Sequence, residues 1–351
     1  MRQIKSRGTS LNPENRFERI YIDYDDIYNS DEDISQPRTQ FFRDNSKSVL
    51  SENNSPDLGF RYSINPYRGC EHGCIYCYAR PSHEYLGFSS GLDFETKIMV
   101  KENAPVLLDR ELSSASWKPQ FVMLSGNTDC YQPVERKLMI TRKCLEVFLK
   151  HRNPVGVITK NALIQRDKDI LSELAVLNLV SVVISITTLN RDLSRKLEPR
   201  TSVPKKRLET ISVLASAGIP TGVNIAPVIP GLNDNEIPLI LKAASENGAI
   251  FAGHIMLRLP YSVKELFLNW LKLNLPDKSS RIINRIHEIR GKDRLNESNF
   301  GTRFSGTGKY AEMIHELFRT SCEKFKLNKR KLSLRTDLFR AVISNQQELF
   351  S

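Results

Sequence analysis

Three cysteines, Cys70, Cys74 and Cys77, fall within eight residues of this chain, in the stretch NPYRGCEHGCIYCYARPSHEYLGF. The pattern C-x-x-x-C-x-x-C constrains the fold more than anything else in the sequence. A loop that carries it must hold three sulfurs near one another, and its flanking segments must fix that loop. Three is an awkward number of thiols. A disulfide uses two, and a closed structural metal site uses four.

Thiolates at this spacing can converge on one cube of iron and sulfide, each sulfur on a different iron. Thiolate-held clusters normally take four cysteines. A missing fourth leaves one iron open to a substrate or cofactor. Two other readings stand beside this one. Zinc needs a further ligand, which His72 or His83 can supply. Cys74 and Cys77 also form a C-x-x-C pair, although without the Trp or Pro-Gly context of a redox motif.

Composition narrows the setting. The chain has 351 residues, enough for one large domain or two ordinary ones. Hydrophobic residues make up 40% and charged residues 26%, which is globular rather than disordered. The net charge of +11 suits nucleic acid, an anionic substrate or a membrane surface. No apolar run reaches the roughly 18 residues of a membrane span. The first residues, MRQIKSRGTSLNPENRFERI, lack an apolar signal core. The expectation is a cytoplasmic chain with no membrane partner. Six cysteines there stay reduced, so their clustering points to metal or catalysis.

Residues 1–58 read as a polar arm lying on a domain, with an acidic middle, YIDYDDIYNSDEDISQ. A strand and helix rhythm fills residues 59–295. Strands are expected near residues 60–66 and at 121–127, 155–159, 179–188, 219–231 and 250–259. Helices are expected at 136–152, 169–177, 204–218, 234–249 and 262–273. Repeated βα alternation implies parallel strands with helices outside. About six such units make an α/β fold of partial (βα)6 TIM-like barrel type, with a doubly wound sheet as the alternative. Residues 296–340 form a basic helical extension, with a Gly-rich loop at 301–308 before a helix, and 341–351 a flexible tail.

The cysteine loop follows a first strand, FRYSINP, and places an aromatic residue, Tyr76, just before the third cysteine. With SGNTDCYQPVE, KLEPRTSVPKKRLETISVLASAGIPTGVNIAPVIPGLND, GTRFSGTGKYAEMI and LRTDLFR, the chain resembles the radical S-adenosylmethionine (SAM) superfamily, in the branch related to spore photoproduct lyase. The resemblance runs from about residue 7 to the end. It implies a [4Fe–4S] cluster on Cys70, Cys74 and Cys77, SAM as cofactor, and a flavodoxin- or ferredoxin-like electron donor.

The resemblance also implies a set of SAM contacts at the strand ends. Tyr76 falls where the adenine lies. Gly126, Asn127, Thr128 and Asp129 fall where the SAM amino group binds, and an ordinary capped turn is the plain alternative. Lys160 would face the SAM carboxylate, and Ser185 and Thr187 the ribose. Glu198 and Arg200 would form a charge pair that grips ribose or carboxylate. Asn224 and residues 226–230, with Pro227, match the adenine-binding segment. Two prolines there argue against a plain ladder. His254 either faces substrate or is a satisfied core histidine. Cys130 departs from the branch, where proline is expected after NTD; Cys130 or Tyr131 is the candidate hydrogen donor. Cys144 and Cys322 read as core.

The basic C-terminal third suits phosphate neutralisation, or a solvated helix face. Gln346, Leu349 and Phe350, in QQELF, resemble the Q-x-x-L-F peptide that docks on the DNA polymerase sliding clamp. The leading expectation is a radical SAM enzyme acting on DNA in repair-like, lyase-like chemistry. One alternative places the same chemistry on RNA, protein or a small molecule. Another is a DNA- or clamp-associated Fe–S protein without radical catalysis.

Overall fold

In the computed structural model, residues 4–17, 37–292 and 294–341 are described. The acidic stretch within the arm and the tail residues Gln346, Leu349 and Phe350 lie outside them. Four short strands come first: β1 (Gln40–Arg43), β2 (Leu50–Glu52), β3 (Tyr62–Ile64) and β4 (Tyr67–Arg68). The cysteine loop is followed by helix α1 (Leu92–Thr96), β5 (Lys97–Val100) and α2 (Ala104–Ser113). Strand and helix then alternate: β6 (Val122–Leu124), α3 (Glu135–Leu138), α4 (Ile140–His151), β7 (Val155–Thr159), α5 (Lys168–Val176) and β8 (Val180–Ser185). The series continues with α6 (Arg191–Leu197), α7 (Pro204–Ser216), β9 (Thr221–Val228), α8 (Ile237–Glu246), β10 (Phe251–Met256) and α9 (Val263–Asn274). Helices α10 (Pro276–Arg290) and α11 (Lys309–Lys324) follow.

Strands β3, β6, β7, β8, β9 and β10 lie side by side in chain order, and each pairs parallel with the next. Strand β2 adds antiparallel outside β3. Among the described residues the sheet does not close: β10 and β2 are its two edges. This is the α/β partial barrel with six parallel strands that the βα rhythm predicts.

The two faces of the strands differ. Outward residues such as Val122, Leu124, Val157, Val182 and Val223 are fully buried under the helices. Their inward neighbours Met123, Ile158, Val183, Ala226 and Ile255 are only half-buried. A mid-sheet residue reaches solvent only where the space it faces is unfilled. The barrel interior is therefore an open cavity. The rings of Phe121 and Phe251, against Gly156 and Gly222, fill part of it.

Several expectations are corrected. The helix expected over residues 136–152 breaks into α3 and α4 at Met139, whose φ of 55° is left-handed. A second sheet, β1–β5–β4, was not foreseen. Neither was α10, although Pro276 at its start and Ile282, Ile286 and Ile289 on one buried stripe mark it. Strand β9 pairs through Val228 despite its proline, with a cis Ala226–Pro227 bond and a register slip in β10 between His254 and Met256.

The C-terminal arginines are largely spoken for. Arg285 meets Glu288 at 2.6 Å, Arg319 meets Glu316 at 2.5 Å, and Arg335 meets Asp337 at 2.6 Å. The Gly-rich loop has a structural task. The Met256 amide donates to the Phe304 carbonyl (2.9 Å), beside the edge strand β10. Arg303 and the Gly301 amide both reach Asp57 (2.7 Å each), in the segment between β2 and β3. The two edges of the open sheet are thus tied across the gap.

Candidate cluster and cofactor site

The cysteine loop runs between β4 and a short 3-10 turn, Arg80–Leu86. Its backbone is pinned at several points. The Cys70 amide donates to the Phe94 carbonyl (2.9 Å), and the Ile75 amide to the Leu197 carbonyl (3.0 Å). Arg80, fully buried, ties the loop to its neighbour. Its guanidinium donates to the Cys74 carbonyl (3.0 Å), the Gly91 carbonyl (2.8 Å) and Glu95 (2.5 Å).

Cys70 and Cys74 are buried and Cys77 is half-buried. Burial pushes all three thiols up from their ordinary pKa. The positive charge of Lys160 acts the other way at Cys74 and Cys77, joined by Arg207 at Cys74 and Arg80 at Cys77. A buried soft-donor set ringed by cations is the chemistry that an anionic iron–sulfur cube needs. Among the described residues, no three His, Cys, Asp or Glu side chains are grouped as a single metal ion requires. His72, one zinc ligand considered from the sequence, has both ring nitrogens engaged. One faces Asp129 (3.3 Å) and the other Asn161 (3.2 Å). His83, the other, is packed between the rings of Phe88 and Phe94.

Beside the loop lies a buried polar cluster. The Tyr76 hydroxyl donates to Glu198, and Thr187 Oγ1 sits 3.2 Å from the same hydroxyl. Thr187 Oγ1 also lies 2.5 Å from Glu198 and 3.1 Å from the Ala226 carbonyl. The other oxygen of Glu198 is held by Arg207, which donates as well to the Ser185 carbonyl (2.9 Å). Burial alone would raise the Glu198 carboxyl; Arg207, Lys160 and the two hydroxyls hold it below the usual range. Lys160 stands with its ammonium 5.9 Å from the centre of the Tyr76 ring. That ammonium has no hydrogen-bond or ion-pair partner among the described residues.

The expected pair of Glu198 with Arg200 does not form. After α6 the turn sends Glu198 inward to Arg207, while Arg200 points back to Glu71 of the cysteine loop (3.1 Å). Arg207 was missed from the sequence. Its signal was present: it shares the buried stripe of α7 with Ile211 and Leu214, where a charge is out of place unless paired.

The turn after β6 is tightly bonded. The Asn127 and Thr128 amides donate to the Asn65 side chain (2.8 and 3.2 Å), and the Thr128 hydroxyl to the Tyr67 carbonyl (2.6 Å). The Gly126 carbonyl accepts from Tyr78 (2.6 Å). Asp129 accepts from the Thr159 hydroxyl (2.7 Å) and the Lys160 amide (2.8 Å), which locks this turn to the end of β7. Burial opposes its charge, yet His72 and these donors bring the Asp129 pKa down to about 2. Asn224 lies buried on β9. Pro227 is braced from behind, because Asn233 donates to the carbonyls of both Thr187 (2.6 Å) and Pro227 (3.0 Å).

Cys130 and Tyr131 are not brought to this site. Both are fully buried in the layer between sheet and helices. Cys130 lies in the neighbourhood of Glu135, and the Tyr131 hydroxyl donates to Asp167 (3.0 Å). The turn at Ser125, with φ of 78°, carries the chain outward before Cys130 is reached. Neither residue faces the cavity, so neither is placed to give a hydrogen atom there. His254 is likewise outward, bonded to His315 of α11 at 2.7 Å. Cys144 and Cys322 are core, as expected.

A parallel partial barrel with three thiols on the loop behind its first strand, and buried polar groups at the following strand ends, defines a class of α/β enzyme. The chain belongs to the radical SAM superfamily: the model of that family, "Radical SAM superfamily", matches residues 64–244. It is an enzyme of the radical SAM type, a family whose members work with a [4Fe–4S] cluster and SAM. An uncharacterized protein of Mycobacterium tuberculosis (strain ATCC 25618 / H37Rv) is 36% identical over 238 residues, 67% of this chain and 70% of that one. Another, from Methanocaldococcus jannaschii, is 29% identical over 178 residues, 51% and 64% of the two chains. Spore photoproduct lyase complexed with dinucleoside spore photoproduct shares the fold, with a TM-score of 0.57 at 15% identity, over 81% of this chain and 78% of that one. A mutant of that lyase with bound AdoMet and dinucleoside spore photoproduct gives 0.57 at 14% identity over the same shares. No helix among the described residues is long and apolar enough to cross a membrane.

Proposed function

We propose that Cys70, Cys74 and Cys77 ligate three irons of a [4Fe–4S] cluster, that SAM binds at the fourth, and that the enzyme acts on DNA in repair-like chemistry. When bound, this pair of cofactors would supply one-electron reductive cleavage of the sulfonium carbon–sulfur bond, with methionine leaving, and hydrogen-atom abstraction from the substrate. The remaining tasks belong to the protein.

The observation that carries the reading is the pairing of three clustered thiols, two buried and one half-buried, with the Lys160 ammonium, which makes no hydrogen bond or ion pair among the described residues, near the ring of Tyr76. An ammonium with no partner beside a thiolate set suits a ligand carboxylate, here that of SAM. Tyr76, fixed by Glu198, offers a rigid ring for the adenine. Thr128 and Asp129 are spent on internal bonds. The amino group of SAM is therefore left to the Asn127 side chain and to the second lone pair of the Gly126 carbonyl, whose first is taken by Tyr78. Ser185 at the end of β8 pairs in register with Asn224 of β9, and Thr187 follows two residues beyond β8; we assign these three to the ribose and adenine side of the cofactor. The carboxylate of Glu198 holds its charge through Arg207 and fixes the tyrosine.

DNA is favoured by the net charge of +11 and by the dinucleoside bound in structures of the same fold. An electron must enter from a flavodoxin- or ferredoxin-like donor. The test is anaerobic reconstitution with iron, sulfide, SAM and a reductant. Wild type should release 5′-deoxyadenosine and Cys74→Ala none. A fully loaded wild type that released none would remove the enzyme assignment. Transfer of deuterium from labelled lesion-bearing DNA into 5′-deoxyadenosine separates DNA from other substrates.

A further inference from the structure

Five side chains stack in alternation beside the cysteine loop. Tyr78, the residue after Cys77, has its ring 5.5 Å from the Arg258 guanidinium. Arg258 also lies 5.0 Å from the centre of the Phe304 ring. Arg303 comes next, 4.6 Å from Phe304 and 4.6 Å from Phe300. Two rings of this ladder are open to solvent: Tyr78 at 46% and Phe300 at 59% exposure. Its inner end touches the cofactor site, because the Tyr78 hydroxyl donates to the Gly126 carbonyl.

The two guanidinium groups differ. Arg303 is neutralised by Asp57 at 2.7 Å. Arg258 makes no hydrogen bond and no ion pair among the described residues; the Asp57 charge reaches it only at longer range, and its Nε is buried without a partner. Nearby, Arg290 donates to the carbonyls of Leu257 (2.6 Å) and Thr302 (3.1 Å), and its charge, which Glu297 offsets, also acts against that of Arg258. Burial, then the nearby charge of Arg303, lowers the Arg258 pKa. A half-buried guanidinium with no bonded acceptor is costly unless a ligand supplies one.

We propose that this ladder is a binding track for an unpaired stretch of DNA, with a phosphate oxygen on Arg258 and bases stacked on Phe300 and Tyr78. Alternating cations and exposed rings are the physical requirement for holding a single strand, since every base has a face to stack and every linkage a charge. The tie between Asp57 and Arg303 holds the outer rungs across the open side of the barrel, where a polymer can enter. The inference rests on the DNA reading above.

The experiment is fluorescence anisotropy of a labelled oligo(dT) with the cluster-loaded protein across a salt series. Phe300→Ala, a surface change, should weaken binding about tenfold. Arg258→Gln should weaken it and flatten the slope of log affinity against log salt by about 0.7, the share of one phosphate on a single strand. Arg258→Lys should keep the slope. If wild type binds and all variants match it in affinity and slope, the ladder is not the track while the DNA reading stands. If wild type does not bind, both fall. Tighter binding of an equal-length oligo(rU) overturns the choice of DNA.

Discussion

Gly8 of the N-terminal segment lies against Gly73 of the cysteine loop so closely that a Cβ on Gly8 would stand 1.9 Å from the Gly73 carbonyl oxygen. The contact is backbone to backbone, so no rotamer can relieve it. The Gly8 amide also donates to Glu95 (2.9 Å), the carboxylate that anchors Arg80. The arm is thus a clamp on the loop from outside. Gly8→Ala should lift it and cost about 2 kcal/mol. Iron and sulfide per chain after anaerobic reconstitution should fall, together with the melting temperature. Unchanged loading would show that the loop holds itself.

Glu198 is the meeting point of Tyr76, Thr187 and Arg207. Glu198→Gln leaves the Arg207 guanidinium buried without a counter-charge and frees the tyrosine. Removing one partner of a buried pair costs about 3–5 kcal/mol. Urea unfolding should show that loss, and affinity for SAM, measured by equilibrium dialysis with the reconstituted protein, should drop with it. The double change Glu198→Gln with Arg207→Met should recover much of the stability but not the affinity. Recovery of both would remove Tyr76 positioning from the account.

The βα rhythm was legible because the outward face of each strand must be apolar to pack under a helix. Val155 to Thr159 is a strand at the positions expected. The cysteine loop was legible because its thiols are adjacent in sequence. Pairings between distant side chains were not. Glu198 has arginines two and nine residues away, and only the turn after α6 decides between them. Cys130 follows a stretch whose sequence resembles a cofactor-binding turn, but the left-handed Ser125 turns it into the core. The small β1–β5–β4 sheet escaped because β1 is exposed along its whole length and has no apolar alternation to read.

Cys130 gives a prediction of no effect where the sequence suggested a role. Its thiol is fully buried among core residues, and its carbonyl, not its sulfur, bonds Thr141 (2.6 Å). Cys130→Ala should cost about 1 kcal/mol for the small void. It should leave 5′-deoxyadenosine formation and deuterium transfer at wild-type levels. A variant that still cleaves SAM but no longer quenches the substrate radical would restore the thiol as a donor.

His254 on β10 couples acidity to the docking of α11. Its ring bonds His315 at 2.7 Å and lies 4.2 Å from the ring of Phe318, both on that helix. Burial, then the proximity of His315, brings the His254 pKa down from 6.5 to about 4. A histidine kept neutral by the fold stabilises it above the unfolded pKa. That contribution is lost as pH falls from about 6.5 toward about 4, because the unfolded chain takes the proton first. The loss amounts to at most roughly 3 kcal/mol. Hydrogen exchange should show α11 amides opening before those of β7 and β8 across this range. His254→Phe keeps the ring packing against Phe318 without a titrating group, and should flatten the pH dependence of α11 exchange. If α11 opens equally in the variant, the acid sensitivity belongs to another group.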